Sequence, residues 1–250
     1  MIERPTTLVI DGDILAYKAA TNSEYDAHWG DGLWTVQADE NQGKYLILSE
    51  IEDLKEKFNP KKVIVALTDK DNFRKDVLPT YKDNRKQKRK PVILKALRKY
   101  LIDEWNAVVL PNLEADDVMG IIATKPRKNN EKIIICSIDK DLRQIPGNLY
   151  NGETVVKRTP KECDWWHLIQ TLTGDATDGY SGCPTVGKVT AQKILNDKKM
   201  PVGKMWELVV KAYAKQGLME HDAFQQARVA RILRHGDYNK KTGEVNLWQI

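Results

Sequence analysis

The 250-residue sequence predicts an α/β protein: a mostly parallel central sheet with flanking helices, followed by a smaller helical region. Three observations predict it. Short apolar runs of strand length recur through the first 140 residues, helical segments lie between them, and strand signals largely stop beyond residue 160.

The strand candidates are residues 8–10, 63–67, 107–110 and 133–136. They are rich in β-branched residues and lack period-two alternation, as strands buried on both faces do. Helices are expected over 44–58 and 92–105, so the order reads β-α-β-α. Beyond the boundary, helices are expected over 163–173, 188–196, 203–216 and 222–235, joined by Gly- and Pro-bearing loops. Gly243 and the tail with Trp248 suggest a last short strand or hairpin. The expected domains are therefore 1–160 and 161–250, with no internal repeat.

Hydrophobic residues make up 41% of the chain, enough for a sizeable core, yet no apolar run approaches the roughly 20 residues of a membrane span. No apolar signal segment precedes the first strand, so a cytoplasmic location is expected. Cys136, Cys163 and Cys183 are odd in number, widely spaced and without a C-x-x-C, and are read as reduced and structural. The net charge of +5 hides blocks: −6 over residues 1–69, +9 over 70–100, −4 over 101–185 and +6 over 186–250. Two basic blocks bracketing acidic ones suit a polyanion gripped on both sides of a carboxylate site, and nucleic acid is the obvious polyanion.

Acids recur where the strands end: Asp11, Asp69, then Glu114, Asp116 and Asp117, then Asp139 and Asp141. In an open parallel sheet those ends share one edge, where ligands bind. Each acid alone could be a turn residue or a helix cap. Together they imply more, because two like charges 4 Å apart repel by about 4 kcal/mol at an effective dielectric of 20. Either several carboxylates protonate or divalent cations sit among them. An all-oxygen donor set favours Mg²⁺ or Mn²⁺, and two such ions are a common arrangement for hydrolysing a phosphodiester.

Residues 182–188 fit the start of a P-loop, but Val189 stands where a Ser or Thr is needed and no strand leads in. A Gly-rich turn between helices, able to hold a DNA phosphate, is the better reading. His28, His167, His221 and His235 are isolated, and Trp165-Trp166 reads as packing.

The motifs Val9-Ile10-Asp11-Gly12-Asp13, Thr68-Asp69, Phe73-Arg74-Lys75, Tyr81-Lys82-Asp83-Asn84-Arg85, Glu114-Ala115-Asp116-Asp117, Ser137-Ile138-Asp139-Lys140-Asp141 and Gly174-Asp175-Ala176-Thr177-Asp178 occur in that order. In this the chain resembles the 5′ nuclease (flap endonuclease) superfamily. Asp164 to Leu168, Asp178 to Gly182, Ala230 to Arg234 and Leu247-Trp248 look closest to the 5′→3′ exonucleases of T-seven-like bacteriophages.

The resemblance implies a PIN-like 5′ nuclease core over 1–160, a helical arch at about 72–100, and a helix-turn-helix-type DNA-binding domain over 161–250. It implies that Asp11, Asp69, Glu114, Asp116, Asp117 and Asp139 surround one metal region, and that Asp141, Asp175 and Asp178 complete a second with Asp139 near both. Lys82 and Arg85 would contact the scissile phosphate as catalytic residues. Arg74, Lys86, Lys88, Arg89 and Lys90 would steer the 5′ strand, and Gly182, Gly187 and Lys188 would grip the duplex. Two or more Mg²⁺ (or Mn²⁺) ions are implied, with K⁺ at the helix-turn-helix loop. In the family pattern a Gly stands where this chain has Thr185, and Lys188 comes one position early.

The implied activity is 5′→3′ exodeoxyribonuclease and 5′-flap endonuclease, with RNase H-like removal of RNA primers in phage-type replication. Partners would be DNA with a 5′ end or flap, RNA–DNA hybrid and replication proteins, in the host cytoplasm if the chain is phage-encoded. A PIN-type ribonuclease acting on RNA and a non-catalytic DNA-binding protein are the alternatives.

Overall fold

The computed structural model describes residues 5–127 and 131–250. The chain opens with β1 (Thr6–Asp11) and α1 (Gly12–Asn22), followed by a hairpin of β2 (Glu24–His28) and β3 (Trp34–Ala38). Then come α2 (Glu40–Phe58), β4 (Lys62–Leu67), the single turn α3 (Arg74–Val77), α4 (Leu94–Trp105), β5 (Val108–Val109) and α5 (Ala115–Thr124). β6 (Lys132–Cys136), β7 (Gly147–Tyr150) and β8 (Val155–Arg158) complete the main sheet. Its order is β5-β4-β1-β6-β7-β8, parallel throughout except that β8 returns antiparallel to β7.

Strand β1 is central, with β4 on one side and β6 on the other. Successive crossovers therefore diverge at its carboxyl end, the switch point at which open sheets bind ligands. Close packing builds that edge. A Cβ on Gly12 would lie 2.7 Å from the Ala66 carbonyl oxygen, so only glycine lets α1 start this near β4.

The sheet has a core on each face. One packs α1, α2 and α4 through Leu15, Ile47, Ile51 and Leu97; the other packs α5 through Val118 and Met119. A third core holds the helices α6 (Pro160–Thr173), α7 (Lys188–Ile194), α8 (Val202–Ala214) and α9 (Glu220–Ala230) around Trp165, Trp206 and Tyr213. A capping box between Thr159 and Glu162, with Pro160 in the first turn, starts α6. The chain then leaves α9 and returns: Ile232 and Leu233 join the α5 core, and β9 (Tyr238–Asn239) pairs with β10 (Glu244–Val245) as the final hairpin.

Two expectations change. The segment at 72–100 is not a helical arch: between α3 and α4 it holds only turns and a 3₁₀ turn at Asp83–Arg85. The β2–β3 hairpin was not expected, and Trp29, Leu33 and Trp34 at its tip are exposed. No helix among the described residues is long and apolar enough to cross a membrane. The three cysteines are free and buried.

Candidate active site

Asp11 ends β1, and its carboxylate caps α1 by accepting from the Ile14 N–H at 3.1 Å and from the Ser137 hydroxyl at 2.9 Å. Ser137 follows β6, and its Oγ also accepts from the Asp139 N–H, so one hydroxyl ties two strand ends together. Asp139 caps the 3₁₀ turn Lys140–Gln144 through the Asp141 N–H. Glu114 caps α5. The capping roles and the convergence are thus one arrangement, since each cap sits where a strand ends and a helix begins.

The electrostatics show which acids meet. Burial and then the charge of Asp139 push Asp11 up to about 6, against a backbone hydrogen bond and the one from Ser137. Burial, then Asp11, Asp139 and Glu114, hold Asp116 well above the usual carboxylate range. Asp141 is pushed up to about 7 by burial first and Asp139 second, with Asp175 and Asp178 adding to it. The charge of Asp139 thus acts on both Asp11 and Asp141.

Other acids are already neutralised. Burial would raise Glu114, but Lys82 and then Arg74 hold it below its ordinary value. Its Oε2 accepts from the Tyr81 hydroxyl at 3.0 Å, and its Oε1 binds the Lys82 ammonium. Asp178 pairs with Arg85, lies 3.7 Å from Lys82 and accepts from Tyr81 at 3.0 Å. Asp175 pairs with Lys140 at 3.1 Å. Lys82 adopts φ +58, a left-handed conformation for a non-glycine residue, and its N–H donates to the Asp178 carbonyl at 2.8 Å. The Asn84 amide binds the Ala176 carbonyl at 2.8 Å, so the turn 174–180 clamps the segment that carries Lys82 and Arg85.

Three expected site residues do other work. Arg74 is 2% exposed and makes a two-pronged ion pair with Asp117, at 2.7 and 2.9 Å; it also donates to the carbonyls of Val229 and Arg231. It cannot steer DNA. Asp117 is 0% exposed and also accepts from the N–H groups of Glu114 and Leu233, leaving no lone pair for a metal. Gly182 is buried against Gly174 at φ +66, and its N–H goes to Gln226, so it does not hold a phosphate. Asp69 accepts from the Asn112 N–H at 2.9 Å on the β5 side, and its charge also raises Tyr238.

Of the expected strand-steering cations, Lys88 and Lys90 are exposed, Lys86 pairs with Asp83, and Arg89 makes a two-pronged pair with Glu24 of the β2–β3 hairpin. Gly187 and Lys188 are exposed at the start of α7. Sequence reasoning missed Tyr81, Asn84 and Ser137, all of which lie inside the motifs quoted above.

Among the described residues no three His, Cys, Asp or Glu side chains close on one point ready to hold an ion. The donor chemistry nevertheless fits a hard divalent cation: Asp11, Asp116, Asp139 and Asp141 are oxygen donors whose mutual repulsion and burial are not offset by a paired Lys or Arg.

Residues 6–163 match the family described as 5′-3′ exonuclease, N-terminal resolvase-like domain. The exodeoxyribonuclease of Enterobacteria phage T3 is 34% identical over 96% of this chain and 92% of its own length. The exonuclease of Escherichia phage T7 is also 34% identical, over 97% and 93%. A bacteriophage T5 flap endonuclease, solved as a pseudo-enzyme-product complex with DNA and metal ions, superposes with a TM-score of 0.63 at 16% identity, over 90% of this chain and 88% of that one. A likeness at that identity speaks for the fold.

Proposed function

Because the chain belongs to the 5′-3′ exonuclease family and is a nuclease, we propose that it hydrolyses DNA from a 5′ end or at a 5′ flap, with divalent cations held by its strand-end carboxylates. The observation that carries this reading is the facing of Asp11, Asp116 and Asp139 across the carboxyl ends of β1 and β6, beside Lys82. Asp141 extends the set toward Asp175 and Asp178. Mg²⁺ is the cation of choice for such oxygens, and when bound it would activate water and neutralise charge on the scissile phosphate.

The protein's own groups do the rest. Asp11 and Asp139 are held by their caps in one orientation, so little reorganisation is needed on binding. Lys82 is held in the site by Glu114, and Arg85 beside it by Asp178; a phosphate arriving between them takes over the charge that those acids now balance. Lys86, Lys88 and Lys90 guide the 5′ strand, and Gly187 with Lys188 meets the duplex. The helices after residue 160 supply the DNA grip that a PIN-type ribonuclease lacks. Removal of RNA primers from hybrid duplex, in replication, follows if the site tolerates a ribose strand.

End-labelled blunt and 5′-flapped duplexes incubated with Mg²⁺ test the reading. Release of short products from the 5′ end, flap removal and silence in chelator are expected. Intact DNA in Mg²⁺, or cleavage that survives chelation, would sink it. An RNA–DNA hybrid in the same assay tests primer removal.

A further inference from the structure

Beside Asp141 and Asp175 a cavity of 140 Å³ opens between the 3₁₀ turn Lys140–Gln144, α6 and the start of α7. Lys140, Arg143, Lys188 and Trp166 line it together with those two acids. Asp175 is taken by Lys140, and Asp141 accepts from the Gln170 amide at 2.7 Å. Arg143 and Lys188 have no carboxylate partner among the described residues. Arg158 adds to this field: it lies close enough to feel the charge of Arg143, and its Nη1 is buried without a hydrogen-bond partner.

With Lys140 held by Asp175, the two cations Arg143 and Lys188 outnumber the one unpaired acid, Asp141, and the net positive charge selects an anion. Size narrows it, since a cavity of about 150 Å³ accommodates a single benzene-sized group and not a nucleotide. A stacked base is disfavoured for another reason: the Arg143 guanidinium already lies 5.1 Å from the Trp166 ring centre, and Lys198 approaches the same ring at 5.9 Å. The indole therefore serves as a plate that orients the arginine fork.

We propose that this cavity holds one backbone phosphate of the cleaved strand, next to the scissile one, with Arg143 and Lys188 as its donors and Trp166 as the positioning residue for Arg143. The proposal rests on the nuclease reading above and adds a subsite to it. The phosphate fixes strand register relative to Asp141 and Asp175 without reading a base.

The test uses the full chain and duplexes that each carry one uncharged methylphosphonate linkage, walked along the 5′-ended strand, with binding measured in chelator so that nothing is cut. Wild type should lose about tenfold in affinity at one linkage near the cleavage position, as expected for a lost charge-assisted hydrogen bond. Arg143→Gln should bind unmodified duplex about tenfold more weakly and lose nothing more at that linkage, and Arg143→Lys should recover part of the loss. Lys188→Gln, at an exposed position where unfolding is not a concern, should show the same coupling. Equal linkage sensitivity in wild type and both Gln variants, or none in wild type, overturns the subsite while cleavage of unmodified duplex in Mg²⁺ leaves the nuclease reading standing. Failure to bind or cleave unmodified duplex overturns both.

Discussion

At Asp11 one carboxylate caps α1 and feels the charge of Asp139, and the two roles separate by pH. In the folded protein its pKa is about 6 against an ordinary 3.8, so between pH 4 and 6 the folded state keeps a proton that the unfolded state has lost. Without metal, the Asp11 share of stability should therefore fall by about 3 kcal/mol as pH rises through that window. Asp141 extends the decline to about pH 7. Melts across pH in chelator check this. Asp11→Asn keeps the cap, because Asn serves that position as well as Asp, and should remove the Asp11 share of that fall, leaving the Asp141 share, while abolishing cleavage in Mg²⁺. Asp116→Asn should also abolish cleavage and leave DNA binding within about threefold, as gel shift and product assays would show; hydrolysis that persists removes Asp116 from the metal set. These acids were legible because strand-end position and residue type coincide. Asp117 was not: adjacent in sequence to Asp116, it lies one position further round α5 and points into the protein, a direction that adjacency in the motif does not reveal.

Among the elements, α3 and α5 are joined by Arg74 and Asp117, a pair that also takes the carbonyl groups of Val229 and Arg231 at the end of α9. Arg74→Met should destabilise the protein by about 3–5 kcal/mol, the usual result of stranding a buried charge, and lower DNA affinity only through unfolding. A variant that melts normally and binds DNA weakly would restore the DNA-steering role. The turn before α7 offers an opposite case. Thr185 adopts φ +64 at the position where the resemblance expects Gly, a strain of about 1–2 kcal/mol for a side chain with a branched Cβ. Thr185→Gly should raise the melting temperature by about 2–4 °C, net of Gly's greater freedom when unfolded. The helices and buried strands were readable from apolar pattern because both sides of the sheet exclude water. The β2–β3 hairpin escaped because its residues are largely exposed and impose no alternation, although Gly30-Asp31-Gly32 marks its turn. The absent arch helix has a similar cause: all nine residues from Lys82 to Lys90 are polar or charged and none is buried, so no apolar stripe holds a helix there.

At the scale of the whole molecule, charge and packing follow different divisions of the chain. Positive charge sits in two blocks, residues 70–100 and 186–250, and a grip through Lys86, Lys88, Lys90 and Lys188 from them, with Arg143 between, should give a log-log salt slope of roughly −4.5 on duplex DNA. A slope near zero would mean that these blocks do not hold phosphate. Packing ignores the boundary at residue 160. Leu233 donates its N–H to Asp117, and its carbonyl lies so near Gly120 that a Cβ there would approach to 2.2 Å. The segment just after α9 therefore seals the α5 face of the sheet. During synthesis that face stays open until residue 233 has left the ribosome, many seconds after β6 at roughly 5–20 residues per second. A nuclease built this way should be born inactive: nascent chains stalled before residue 230 should be protease-sensitive and unable to nick DNA, and both properties should reverse together once the sealing segment emerges.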